Sequence, residues 1–96
     1  MATDRRSRIL REAWIGDAVL ALYARERILK QDSALDGPKA ERMTSNQFLS
    51  AFGDPAEVEA EIGRIYINEG LNAAFQFIAA RYMPLYEKQE ENRQRR

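Results

Sequence analysis

Ala13-Trp14-Ile15-Gly16-Asp17-Ala18-Val19-Leu20-Ala21-Leu22-Tyr23 is a run of eleven residues with one charged side chain, Asp17. It contains no proline and does not alternate apolar with polar, so it reads as helix. Its pattern is that of a helix buried on most sides, with Asp17 as the exception. Around it the chain returns to water, through Arg5, Arg6, Arg8 and Arg11 before it and Arg25, Glu26, Arg27 and Lys30 after it. Thr3 or Asp4 is available as an N-cap, and no breaker intervenes. The segment from Asp4 to about Lys30 is therefore expected to be one helix of about seven turns.

The next stretch, Gln31 to Pro38, gathers Asp, Ser, Gly and Pro, which marks a break between helices. A second helix is expected from about Lys39 to Phe52, with Met43, Phe48, Leu49 and Phe52 as its apolar stripe. That stripe weakens at Thr44-Ser45-Asn46. Gly53 stands where a left-handed stop is expected. Asp54-Pro55-Ala56-Glu57 supplies a cap, a first-turn proline and an acidic third position, so a third helix is expected from Pro55 to Glu69. Val58, Ile62, Ile65 and Tyr66 form its core face. A fourth helix runs from about Leu71 and kinks or ends at Pro84, because proline lacks a backbone donor. The charged tail from Glu87 to Arg96 either extends a helix into solvent or frays. No repeat and no strand pattern occurs, and the expected architecture is an all-α bundle of four helices.

Ninety-six residues make one domain, and the chain lacks both His and Cys. Disulfides, imidazole or thiolate zinc sites, cysteine nucleophiles and histidine acid–base catalysis are excluded. No stretch approaches the ~20 apolar residues of a membrane span, and the polar, basic N-terminus is unlike a signal peptide, so a cytoplasmic protein is expected. Fifteen basic residues balance fifteen acidic ones. Nucleic-acid binding would therefore need metal ions or local charge clusters.

Within the helices, Gly16 and Gly63 need a reason, since an interior glycine costs about 1 kcal/mol relative to Ala. Close helix–helix approach supplies one. If the first and third helices cross at these glycines, Asp17 and Glu59 meet. An ionised carboxylate in an apolar helix requires a partner. For Asp17 that partner is either an arginine or a hard divalent cation, which takes carboxylate, water and phosphate oxygens. Glu57, Glu59 and Glu61 also suit the first turns of a helix electrostatically, with Glu61 placed to pair Arg64.

Trp14-Ile15-Gly16-Asp17-Ala18-Val19-Leu20 resembles the signature helix of the ribonuclease III family. The segment from Glu59 through Ile62-Gly63-Arg64-Ile65-Tyr66 to the Gly70-Leu71 turn resembles that family's second conserved block. Ser45-Asn46-Gln47-Phe48-Leu49 is similar to a softer block between them. The resemblance implies an all-α endoribonuclease domain. It implies a homodimer that hydrolyses double-stranded or structured RNA with Mg²⁺, for which Mn²⁺ can substitute. It also places Asp17 and Glu59 at catalytic, metal-binding positions, where a metal would ionise a water without a histidine base.

Two family acids are missing, because Ala13 and Ala56 stand in their places. Ala13-Trp14-Ile15-Gly16-Asp17 is closest to the mini-ribonuclease III branch, which has no separate RNA-binding domain. The short Gly53–Glu57 link also lacks the insertion that reaches RNA in relatives. Phosphate contacts would then fall to Arg5, Arg6, Arg8, Arg25, Arg27 and the tail from Arg93 to Arg96. The alternative is a non-catalytic homodimer of the same fold that serves as an RNA- or protein-binding scaffold. In either case Trp14, Phe48, Phe52, Phe75, Phe77, Tyr82 and Tyr86 offer more apolar surface than four short helices readily hide, which favours a two-fold partner.

Overall fold

The computed structural model describes residues 2–95, with side chains from Asp4 onward, and all regular structure among them is helical. Helix α1 spans Ala2–Asp32. Its 31 residues rise about 46 Å, so it runs nearly the whole 49 Å length of the molecule. The helix begins at Ala2, which places Asp4 inside the first turn instead of at the cap. Ser33 then adopts a left-handed φ of 55° and its N–H donates to the Leu29 carbonyl, closing the helix.

Helix α2 covers Gly37–Thr44 and starts where the Asp36 carboxylate accepts the Lys39 N–H at 3.0 Å. The expected single helix from Lys39 to Phe52 is broken at Ser45, whose ψ of 154° is extended. Ser45 closes α2 and opens α3 (Asn46–Leu49), its Oγ accepting the Phe48 N–H at 3.1 Å. Serine competes for backbone donors in this way, and here the local hydrogen bond wins over helix continuation. A 3₁₀ turn, Ser50–Phe52, follows and ends at Gly53, with φ 138°.

Helix α4 spans Pro55–Glu69, as its sequence signals require, with the Asp54 carboxylate accepting the Glu57 N–H. It stops at Gly70, with φ 95°. Helix α5 (Leu71–Arg81) and helix α6 (Met83–Gln94) meet at Tyr82, with Pro84 in the first turn of α6. The break before proline creates a separate helix, and the charged segment stays helical to Gln94. Arg96 lies outside the described residues. Serine and proline thus turn the four expected helices into six segments, one of them a single turn.

Leu20, Met43, Leu49, Ile62, Ile78 and Tyr82 are fully buried at the centre. Around them the aromatic rings pack edge to face, Phe52 on Tyr82 at 4.7 Å and Tyr23 on Phe75 at 5.3 Å. The expected aromatic surplus is largely absorbed in this way. Phe48, Tyr82 and Tyr86 are buried, and Phe52, Phe75 and Phe77 half-buried. Trp14 is the exception, 79% exposed. The reading of α1 as buried on most sides is corrected accordingly. Ala13, Gly16, Val19 and Leu20 face the interior, while Trp14, Asp17, Ala18 and Leu22 face out. Three apolar residues of the run, Trp14, Ala18 and Leu22, therefore lack cover.

Gly16 and Gly63 lie against each other, and α1 packs on α4 through backbone contact. A Cβ on Gly16 would overlap the Glu59 carbonyl and come within 2.9 Å of the Gly63 nitrogen. A Cβ on Gly63 would overlap the Glu12 carbonyl and reach 3.0 Å from the Gly16 nitrogen. No flexible atom is available to move aside. Either Gly16→Ala or Gly63→Ala should therefore destabilise the fold by about 3 kcal/mol or more, measured by urea unfolding. Gly37→Ala, where nothing lies within 4 Å, should change stability little. A neutral Gly16→Ala variant would contradict the packing.

Candidate functional site

The glycine contact has two flanks, each occupied by one pair of side chains. Glu12 and Asp17 are five residues apart on α1, about 140° around the helix, and so stand on opposite sides of Gly16. Glu59 and Arg64 stand in the same relation on α4. On one flank Arg64 donates to the Glu12 carboxylate at 3.3 Å. On the other, Asp17 lies close enough to Glu59 to raise its carboxyl.

This is the meeting that the glycine spacing predicts. Asp17 is exposed and Glu59 half-buried. Burial, then the hydrogen bond and negative charge of Asp17, push the Glu59 carboxyl up to about 7. Two carboxylates at close range do not both ionise readily. At about pH 7 the Glu59 carboxyl is therefore half protonated unless a cation stands beside the pair.

Arginine is not that cation. Arg64 is engaged by Glu12, so the expected Glu61–Arg64 pairing is replaced by a contact between helices. Among the described residues neither Asp17 nor Glu59 enters an ion pair. Ala13 is buried and Ala56 half-buried, and neither brings an oxygen. No group of three or more acidic side chains gathers among the described residues. The protein's contribution at this flank is two carboxylates, one open to solvent. For a Mg²⁺-type ion the remaining positions would fall to water and a substrate phosphate, the usual division for that ion.

The arginines expected to meet phosphate separate into classes. Arg5, Arg6, Arg8 and Arg25 are exposed and outside any ion pair among the described residues. Arg5 and Arg6 border a cleft whose other wall carries Asp54 and Glu57. Arg27 is committed elsewhere. It donates to Glu87 at 2.7 Å and lies over the Tyr86 ring. Arg95 pairs Glu91 at 2.6 Å. Sequence reasoning misses Glu12, although its place one turn before Gly16 mirrors that of Glu59 one turn before Gly63.

The carboxyl pair fixes a pH dependence. A carboxyl raised from 4.5 to about 7 by folding favours the native state fully below about pH 4.5. That contribution is lost as the pH rises through about 7. For a partly exposed group, solvent screening reduces it to the order of 1 kcal/mol. Glu59→Gln should accordingly melt several degrees above wild type at pH 8, with the advantage fading at pH 4.5. An equal difference at both values, read by circular dichroism melts, would contradict the carboxyl pair. Against known proteins, the chain matches no family model, no curated protein and no solved structure.

Proposed function

We propose that this chain is a ribonuclease III-like endoribonuclease that hydrolyses phosphodiester bonds of double-stranded or structured RNA, with Asp17 and Glu59 holding Mg²⁺ or Mn²⁺. One observation carries the reading. Carboxylates of two different helices come together without an ion-pair partner among the described residues, at a crossing where two glycines bring the backbones into contact. Five carboxylates elsewhere, Glu12, Asp32, Glu87, Glu90 and Glu91, are paired with cations, and Asp17 and Glu59 are not among them. This pair has the oxygen donors and the open side that a hard cation and a phosphate oxygen require.

A divalent ion bound there would supply an ionised water and neutralise charge on the scissile phosphate. The chain's own residues do the rest. Glu59, half-buried and carried by α4, would lose its proton to solvent when such an ion binds. Asp17, exposed, faces the substrate side. Arg5, Arg6, Arg8 and Arg25 offer guanidinium groups to the phosphate backbone, through which duplex RNA is mostly bound. A two-fold pairing of chains, each cutting one strand, belongs to this reading.

A second reading, a non-catalytic RNA- or protein-binding homodimer of the same architecture, is favoured by a separate observation. The small side chains of Ala13 and Ala56 leave the pair without further acids. Incubation with a labelled RNA duplex, with and without Mg²⁺, separates the two. The nuclease reading predicts metal-dependent cutting, reduced by at least about 100-fold in Asp17→Asn and in Glu59→Gln. Binding without cutting by wild type and both variants would support the scaffold instead.

A further inference from the structure

Helix α6 carries Tyr86, Gln89, Glu90 and Arg93 at the three- and four-residue spacing of a single helix face. That face meets the end of α2 and the start of α3. Tyr86 packs edge to face on Phe48, with ring centroids 6.3 Å apart, and Glu90 pairs with Arg42. Beside these two contacts the elements part around a cleft of about 420 Å³. Arg42, Ser45, Gln47, Gln89, Asn92 and Arg93 border it, and each of these side chains ends in a hydrogen-bonding group.

Arg42 is held in place and still open on one side. Its Nε and Nη2 donate to the two Glu90 oxygens at 2.9 and 3.1 Å, which occupies one edge of the guanidinium and leaves the opposite edge free. Arg93, one of the tail arginines expected to meet phosphate, is exposed and outside any ion pair among the described residues. Two guanidinium groups thus stand against one carboxylate, and that carboxylate is engaged. The Ser45 Oγ accepts the Phe48 N–H and keeps its own proton to donate. A separate observation concerns Tyr86, whose hydroxyl is buried with no hydrogen-bond partner among the described residues. It lies close enough to Glu90 to help hold that carboxyl below its ordinary range.

We infer that this cleft binds a phosphate monoester of mononucleotide size, its phosphate between Arg42, Arg93 and the Ser45 hydroxyl and its polar remainder on the amides of Gln47, Gln89 and Asn92. Phosphate oxygens match guanidinium edges and a hydroxyl donor. Inorganic phosphate leaves most of the volume unused, whereas the amides carry both donors and acceptors, as the edge of a nucleobase does. A nucleoside monophosphate supplies both halves. Tyr86 gives the cleft a means of response. An anion on the free edge of Arg42 loosens its hold on Glu90, and one Glu90 oxygen then turns to accept the orphaned hydroxyl, relieving a cost of the empty fold. Asp17, Glu59 and the four arginines of the nuclease reading take no part, so the site stands apart from that reading.

Isothermal titration calorimetry without divalent ions tests it, with AMP, CMP, GMP, UMP, adenosine and inorganic phosphate as probes. At least one nucleoside monophosphate should bind, at least about tenfold tighter than inorganic phosphate or adenosine. Arg93→Glu should weaken that binding at least about tenfold, because a guanidinium is replaced by a repelling charge. Tyr86→Phe should melt at or above the wild-type temperature and yet bind at least about threefold more weakly. Asp17→Asn should bind as wild type does, whether or not the chain cuts RNA. A short RNA binding tighter with a 5′-phosphate than with a 5′-hydroxyl assigns the cleft to an RNA end, and equal binding of the two assigns it to the free nucleotide. No binding of any monophosphate, free or on RNA, would overturn the site. Inorganic phosphate binding as tightly, or undiminished binding by Arg93→Glu or Tyr86→Phe, would overturn it as well.

Discussion

Backbone touches backbone where Gly16 meets Gly63, and the arrangement of charge in this molecule follows from that contact. Either glycine alone would weaken its helix by about 1 kcal/mol relative to Ala. Together they let α1 and α4 close to a distance at which each lies against the carbonyl oxygens of the other, those of Glu12 and Glu59. At that separation side chains on the two flanks cannot avoid each other. One flank is neutralised by Glu12 and Arg64. The other presents Asp17 to Glu59, and like charge accumulates there.

That second flank differs from the ion pairs elsewhere in the structure. Arg42 and Glu90 form a two-point ion pair that holds the Glu90 carboxyl below its ordinary range, and Lys39 reaches Asp32 at 2.9 Å. In those contacts a cation satisfies the acid. At the α1–α4 crossing the neighbour of an acid is another acid, and burial raises Glu59 further. Repulsion of this kind is a cost to folding, and such costs gather at sites where a ligand is expected to remove them. Packing thus sets the electrostatics, and the electrostatics set what the site can hold.

Much of this is legible in the sequence, and the failures have identifiable causes. The two interior glycines predict the crossing and the meeting of Asp17 with Glu59, because a missing side chain inside an apolar helix costs stability unless a second helix closes into the gap. Asp54-Pro55 and Gly70 set the bounds of α4 through local capping, which sequence records directly. Ser45 is harder to read. Its side chain breaks a helix that apolar periodicity would continue, and periodicity carries no information about a hydroxyl accepting a backbone N–H. The burial of α1 is overestimated because hydropathy says how apolar a segment is but not how many neighbours it has. Hydropathy alone therefore assigns Trp14, Ala18 and Leu22 to a core they do not enter. The Glu12–Arg64 contact is hidden because its partners are 52 residues apart.

A long helix with one face in the core and one exposed apolar face carries an acidic pair at its crossing with α4, and the proposed RNA phosphodiester chemistry rests on that pair. Under that proposal Asp17 and Glu59 bind a hard divalent cation. The most direct measurement is a Mn²⁺ titration followed by electron paramagnetic resonance, since carboxylate and water ligands suit that ion. One ion per chain is expected in the wild type, with loss of that site in Asp17→Asn and in Glu59→Gln. Wild type and both variants binding Mn²⁺ alike, or none binding it, would contradict the claim.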